Sequence, residues 1–327
     1  MWERFGMSLC FFVAFLLGGG LVYFVDGYWY DKYEIRVTMP CDQQYPFLSP
    51  LLDCKDIEEK FSDIENLGKS VERIIEDEKQ AGNILRGSFF YRDLNTRRFV
   101  GVNEADQYNL ASLTKLPIAM IYYKLAEVKL GFLDLKFSLT EEHLKEDVLQ
   151  SFKPDKKLLA GEYSARELIH YMLIYSQNAA ARALYSEPTQ VSETVFSDLG
   201  IYIPSGDGYG RGTWNATTRT FGNILRVLYN ASYLDAQKSN EVLEILSQSV
   251  FEGGIAKVPE GVRVAHKFGE ATRTTPEGKV LSRVLNHCGI VYKPGRPYIV
   301  CIMVEGNDFD EEKRVIERIA ETVYDHQ

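Results

Sequence analysis

From Ile64 to about Gln80, apolar and charged residues alternate at helical spacing, so an amphipathic helix is expected there, ending near Gly82. The pattern then changes period. Ser88-Phe89-Phe90-Tyr91-Arg92 and Arg97-Arg98-Phe99-Val100-Gly101-Val102 flank the turn residues Asp93-Leu94-Asn95-Thr96, the layout of a β-hairpin. Between Ser112 and about Asn230 the periodicity is helical almost throughout. Within it, Ser164-Ala165-Arg166-Glu167 is a capping box opening a helix through about Tyr175, and Thr217 to Tyr229 is amphipathic. Strands return late. Arg263 to Gly269 reads as one, and Cys288–Tyr292 with Tyr298–Val304 form a hairpin across Lys293-Pro294-Gly295-Arg296-Pro297. A last helix is expected from about Glu311 to Tyr324. Strands at both ends of a helical middle imply an α+β fold. One antiparallel sheet would be covered by the N- and C-terminal helices and would sit beside an inserted all-α lobe, with a cleft where the two meet.

One segment follows neither period. Met7 to Val25 is an uncharged apolar run of about 19 residues, the length that crosses a bilayer as a helix. No Ala-x-Ala cleavage pattern follows it, so an uncleaved anchor is expected rather than a removed signal peptide. On this reading residues 1–6 are a cytoplasmic stub, 7–25 a single-pass transmembrane anchor and 26–60 an extracytoplasmic stalk rich in Tyr, Asp and Pro. Residues 61–327 form one extracytoplasmic catalytic domain. The run Tyr28-Trp29-Tyr30 suits a membrane interface.

Composition narrows the classes further. A net charge of -9 without a basic block argues against nucleic acid as a partner, since neutralising phosphates needs clustered Lys and Arg. Of five cysteines, Cys10 falls in the anchor, and Cys41 and Cys54 bracket a short loop that a disulfide would close. Cys288 and Cys301 fall near facing positions of the last hairpin, where a disulfide and two buried thiols are both open. His143, His170, His266, His287 and His326 have no metal-site spacing, and no metal or cofactor is expected. The run Gly206-Asp207-Gly208-Tyr209-Gly210-Arg211-Gly212 has no strand before it and no Lys-Ser/Thr after it, so it reads as a loop rather than a phosphate cradle. Composition is silent on oligomeric state.

Candidate chemistry centres on Ala111-Ser112-Leu113-Thr114-Lys115-Leu116-Pro117. Ser112 and Lys115 lie three apart, so on a helix both side chains leave one face and can touch. A serine hydroxyl needs a base to become a nucleophile, and a lysine whose ammonium is destabilised by burial or a neighbouring cation supplies one near neutral pH. Two later signals add partners. Tyr175-Ser176-Gln177-Asn178-Ala179-Ala180 places a polar triplet between a helix end and an Ala-rich helix start. His266-Lys267-Phe268-Gly269-Glu270 places a cation on a strand.

With these motifs in this order, the chain from about Ile64 to Gln327 resembles the penicillin-recognising serine enzymes, most closely class A β-lactamases and the D,D-peptidases of the same β-lactamase/transpeptidase-like fold. Their Ser-x-x-Lys, Ser-x-Asn and Lys-Thr-Gly motifs correspond to Ser112-Leu113-Thr114-Lys115, Ser176-Gln177-Asn178 and Lys267-Phe268-Gly269. The resemblance implies that Ser112 attacks the carbonyl of a β-lactam or a D-Ala-D-Ala peptide with Lys115 as base. It implies that Ser176 passes the proton to the leaving nitrogen and that Asn178 binds a substrate amide. Lys267 would supply positive field and attract a substrate carboxylate. Gly269 would line the substrate site, and the backbone amides of Ser112 and Glu270 would form the oxyanion hole.

Three departures qualify the likeness. Gln177 stands where the lactamases carry Asp, which the peptidase branch tolerates. Phe268 stands where the family carries a Thr whose hydroxyl holds the substrate carboxylate; Arg273 is a candidate to compensate. Class A lactamases deacylate through a Glu-x-x-x-Asn pattern between the second and third motifs. Here Glu187, Glu193, Asp198 and Asp207 occur in that interval, none with Asn four residues on. Hydrolysis of the acyl-enzyme is therefore expected to be slow, with a peptidase acting on peptidoglycan as one alternative and a non-catalytic cell-wall or β-lactam binding module as the other.

Overall fold

Helix α1 (Asp63–Gln80) carries Leu67, Val71, Ile74 and Ile75 on one face, all buried, and Glu65, Glu72 and Asp77 on the other. It ends at Gly82, whose φ of 77° is the left-handed conformation a helix C-terminus favours in glycine. The chain then forms β1 (Ile84–Asp93), β2 (Phe99–Val102), the short β3 (Tyr108–Asn109) and helix α2 (Lys115–Val128). The computed structural model describes residues 47, 63–144, 151–153, 156–185, 189–201 and 214–326. The expected anchor, Cys41, Cys54 and the glycine run at 206–212 lie outside the described residues.

The middle of the chain carries helices around α2, but it is not helical almost throughout as expected, since the described residues between Lys129 and Ser164 are mainly strand and turn. It comprises β4 (Lys136–Leu139), α3 (Glu141–Leu144), β5 (Gly161–Ser164), α4 (Ala165–Ile174), α5 (Asn178–Leu184), α6 (Gln190–Asp198), β6 (Asn215–Ala216), α7 (Thr218–Tyr229) and α8 (Ala236–Leu246). The capping box at Ser164 forms: its hydroxyl accepts from Glu167 N, and Glu167 Oε2 accepts from Ser164 N at 2.7 Å. Sequence periodicity missed the two-stranded pairs β3–β6 and β4–β5. Strands of two to four residues are too short to show a period, and pairing across the fold creates them.

The chain closes with β7 (Arg263–Thr274), β8 (Val280–Tyr292), β9 (Tyr298–Gly306) and α9 (Phe309–His326). One five-stranded antiparallel sheet results, in the order β2-β1-β9-β8-β7. Both β7 and β8 run longer than expected, since Glu270 to Thr274 extends the first and Val280 to His287 the second, and the two pair as a further hairpin. Asn286 and His287 are fully buried, so this stretch lacks the polar-out alternation that marks a strand in sequence. All nine residues of β9 are buried, as befits a central strand covered on both faces. One core lies between the sheet and α1 and α9, with Val315, Ile316, Ile319 and Val323 of α9 against Phe89, Tyr91, Ile302 and Val304. The other lies between the sheet and the helical lobe.

Cys288 and Cys301 face one another on β8 and β9 and form a disulfide, which decides between the two readings left open by the sequence. Phe47, the one described residue of the 26–60 segment, packs edge-on against Tyr292 at 5.5 Å between ring centroids. Its carbonyl accepts from the Tyr292 hydroxyl at 2.8 Å. Among the described residues no helix is long and apolar enough to cross a membrane.

Asp308 caps α9, its carboxylate accepting from the amides of Asp310 and Glu311. One turn later Glu312 faces the core, fully buried against Gly306. Burial pushes its pKa up to about 8. The folded chain therefore holds a proton that the unfolded chain releases between pH 4.5 and 8, so stability falls as pH rises through that window. Glu312→Gln should match the wild type near pH 5 and melt several degrees higher at pH 8, measured by thermal denaturation at the two pH values.

Candidate active site

Ser112 is presented by a tight turn rather than by the body of a helix. Asn109 Oδ1 accepts from Ala111 N at 2.9 Å, and Ala111 adopts a φ of 49°. The chain then enters a 3-10 turn, Ala111–Thr114, which runs straight into α2 at Lys115. In 3-10 geometry residues three apart nearly eclipse. Ser112 and Lys115 are thereby stacked, and Lys115 Nζ lies 2.8 Å from Ser112 Oγ.

Ser176 comes to the same point through a different device. After α4 the chain turns sharply, with Ser176 at φ 55°, a left-handed conformation that costs a non-glycine residue about 1 kcal/mol. The turn directs both the carbonyl and the hydroxyl of Ser176 at Lys115 Nζ, the hydroxyl at 3.1 Å. Asn178, at the start of α5, adds its Oδ1 at 2.7 Å. From the edge strand β7, Lys267 Nζ donates to Ser176 Oγ at 2.9 Å and to the carbonyl of Phe268 at 2.9 Å. One serine oxygen thus stands between two amines. Lys115 and Lys267 are 0% exposed and Ser112 is 8% exposed, so of these three only the serine reaches the surface.

Gly269 closes the arrangement. A Cβ at this position would lie 2.7 Å from the carbonyl oxygen of Leu110 and 3.0 Å from Ser112 N, so only glycine lets β7 approach the turn this closely. Asn286, opposite Gly269 on β8, donates to the carbonyl of Asn109 at 2.8 Å and holds the turn from beneath. Sequence reading gave no reason to single out Asn286, because its role exists only once β8 is paired with β7.

The structure brings Ser112, Lys115, Ser176, Asn178 and Lys267 into one hydrogen-bonded cluster, with Gly269 against its wall. Glu270 follows on β7, and its side chain is engaged elsewhere, since Oε1 accepts from the amides of Ser151 and Phe152 at 2.9 and 3.1 Å. Gln177 is buried and ties Lys156 through its carbonyl at 2.9 Å. Arg273 is turned to Glu305, 3.7 Å away. Glu193 is exposed on α6, and Asp198 accepts from the Tyr233 hydroxyl at 3.1 Å, so neither is joined to Ser112. Glu187 and Asp207 lie outside the described residues. Among the described residues no group of three His, Cys, Asp or Glu side chains is placed to hold a metal ion.

Burial lowers the pKa of Lys267 far below that of a free lysine, and the charge of Lys115 lowers it further, against a smaller opposing effect of Glu270. This repulsion is reciprocal, so either amine disfavours the charge of the other.

A family model described as the β-lactamase enzyme family matches residues 66–327. The chain belongs to that family. No curated protein matched by sequence. Among solved structures, a mutant of PBP-A captured as an acyl-enzyme with penicillin G superposes with a TM-score of 0.66 at 17% identity, over 80% of this chain and 96% of that one. A class A β-lactamase from Mycobacterium abscessus gives 0.65 at 18% identity, over 79% and 98%. A β-lactamase from Chitinophaga pinensis gives 0.65 at 20%, over 80% and 98%. These likenesses establish the β-lactamase-type fold, with its antiparallel sheet and helical lobe.

Behind the lysines of this β-lactamase-family domain lies a feature that the sequence showed only as two isolated histidines. His266 Nδ1 and His287 Nε2 are 2.9 Å apart, and His287 Nδ1 accepts from Ile255 N at 3.2 Å. That acceptor role puts the His287 proton on Nε2, which donates to His266. Both rings are buried and neutral: burial, then the Lys267 charge, takes His266 down to about 3, and burial takes His287 well below its usual range. As pH falls from 6.5 the unfolded chain takes up protons that these folded histidines refuse, so stability is lost in acid. Each histidine contributes up to about 1.4 kcal/mol per pH unit. His287→Gln should therefore flatten the loss of urea stability between pH 6.5 and 5; an unchanged slope would show that the pair is not the cause.

Proposed function

We propose that this β-lactamase-family chain is a serine hydrolase that forms an acyl-enzyme at Ser112 with β-lactams or D-alanyl peptides. The observation that carries the reading is the 2.8 Å contact of buried Lys115 Nζ with Ser112 Oγ, in a hydrogen-bonded cluster that also holds Ser176 and Lys267. In its neutral form Lys115 accepts the Ser112 proton while donating to the Ser176 carbonyl and Asn178 Oδ1. Ser112 Oγ bonds to the carbonyl carbon, and the developing oxyanion is received by the backbone amides of Ser112 and Glu270. Collapse breaks the C–N bond. The proton reaches the leaving nitrogen through Ser176 Oγ, 3.1 Å from Lys115 Nζ, and Lys267 on its other side stabilises the alkoxide character that develops there. An ester on Ser112 remains, to be hydrolysed by water.

Slow hydrolysis of that ester is part of the proposal. Among the described candidates for a water-activating base, Glu193 faces solvent and Asp198 is engaged by Tyr233, which favours a long-lived acyl-enzyme of peptidase type over a fast lactamase. The uncharged run Met7 to Val25 supports a membrane anchor that holds the domain outside the cytoplasm, where peptidoglycan is found.

Intact-mass spectrometry after addition of penicillin G should show one adduct on the chain, absent in Ser112→Ala and persisting for many minutes. Lys115→Met should slow its formation by about 10²–10⁴-fold, the usual contribution of a general base. Rapid turnover would replace the peptidase reading with a lactamase one, and no adduct at all would leave a binding module.

A further inference from the structure

On the sheet edge opposite β7, three arginines gather around one exposed ring. Arg92 lies near the end of β1, paired with Phe99 of β2. Helix α7 packs across β1, with Gly222 against the Phe90 ring, and carries Arg219 and Arg226 seven residues apart, two turns along one face. The guanidinium groups of Arg92 and Arg219 each lie 5.2 Å from the Phe99 ring centroid, and Phe99 is 46% exposed. A guanidinium stacked on a ring has its plane, and hence the direction of its N–H groups, fixed.

The charges of this patch are poorly matched. Of the three, only Arg219 has a carboxylate partner, Glu104 at 2.5 Å. Arg92 and Arg226 are half-buried, each with a buried Nε that has no hydrogen-bond partner, and neither forms an ion pair among the described residues. Asp93, next to Arg92 in the chain, spends its carboxylate on the amides of Asn95 and Thr96. Burial lowers the pKa of Arg92, and the charges of Arg226 and Arg219 lower it further. Elsewhere the fold answers such cations directly: Arg86 meets Glu305, and Arg314 and Arg318 share Glu78.

The last turn of α7 gives Arg226 a favourable place against the helix dipole, but nothing of that kind draws Arg92 towards it. Three guanidinium groups against one carboxylate leave two positive charges in a chain of net charge -9. Such convergence costs stability until an anion offsets it. A planar carboxylate matches one guanidinium fork, whereas a tetrahedral phosphate offers oxygens to several forks at once and carries comparable charge.

We propose that Arg92, Arg219 and Arg226 form a binding site for a phosphate group, with Phe99 holding two of the three guanidinium planes in place. Free phosphate and the phosphodiester of a lipid headgroup share this chemistry. The site lies across the sheet from Lys267 and does not depend on the acyl-enzyme reading.

Binding is read from the melting temperature of the full chain in neutral detergent, with inorganic phosphate compared with chloride at equal ionic strength. Near ten times its Kd, phosphate should raise the midpoint by about 3 °C. Arg92→Gln should melt at least as high as the wild type in chloride, since it removes a repelled charge, and should lose most of the phosphate response. Arg226→Gln should lose most of it too, and Arg92→Lys, which keeps the charge without the fork, should lose about half. General exclusion of phosphate from protein surfaces acts on every variant alike and cancels in the comparison. Glycerophosphoglycerol is the second probe. An arginine-dependent rise at least equal to that with phosphate assigns a lipid headgroup, a response to phosphate alone assigns the free ion, and both support the site. No rise with either probe, a rise of equal size in all variants, or Arg92→Gln melting below the wild type in chloride would overturn it.

Discussion

Two lysine amines buried against a single serine oxygen are the constraint around which this domain is arranged. An ammonium removed from water without partners is costly enough that it gives up its proton or finds acceptors. Here acceptors converge from two stretches far apart in sequence: the left-handed turn at Ser176 with Asn178 at the start of α5, and the carbonyl of Phe268 on β7. None of these alone would keep Lys115 or Lys267 in place. Together they hold the Lys115 amine against Ser112 Oγ, with a second amine nearby that opposes its charging.

Keeping that arrangement closed falls to the sheet. Gly269 lets the edge strand press against the Ser112 turn, and Asn286 fastens the turn from the neighbouring strand. The Cys288–Cys301 disulfide and the His266–His287 pair sit in the same three strands. The Asn286 amide nitrogen and the two histidines thus have partners of their own, which limits how far the edge can move.

The two faces of β7 divide the chemistry. Lys267 points to the serine cluster, while His266 and Phe268 belong to the face that packs toward the terminal helices. Phe268 therefore does more than remove a hydroxyl from a familiar motif. It joins Phe251 and Phe152 in an aromatic wall, and Glu270 spends its carboxylate on keeping that wall in position. The stretch from Ser151 to Lys153 is thus coupled to the strand that carries the third motif.

Much of this was legible from local signals. The amphipathic periods of α1, α7 and α9, the Ser164 capping box and the turn residues of the hairpins are properties of short windows, and short windows are what a sequence displays. The three motifs at Ser112, Ser176 and Lys267 were equally visible, because side-chain chemistry and spacing survive without coordinates. Their convergence was not, nor were the roles of Asn286, Glu270, Phe251 and the histidine pair. Each acts on a partner more than twenty residues away or across a strand register, as Glu270 does on Phe152 and His287 on His266. Only the tertiary structure decides such contacts, because burial and strand pairing, rather than local propensity, place these groups within reach.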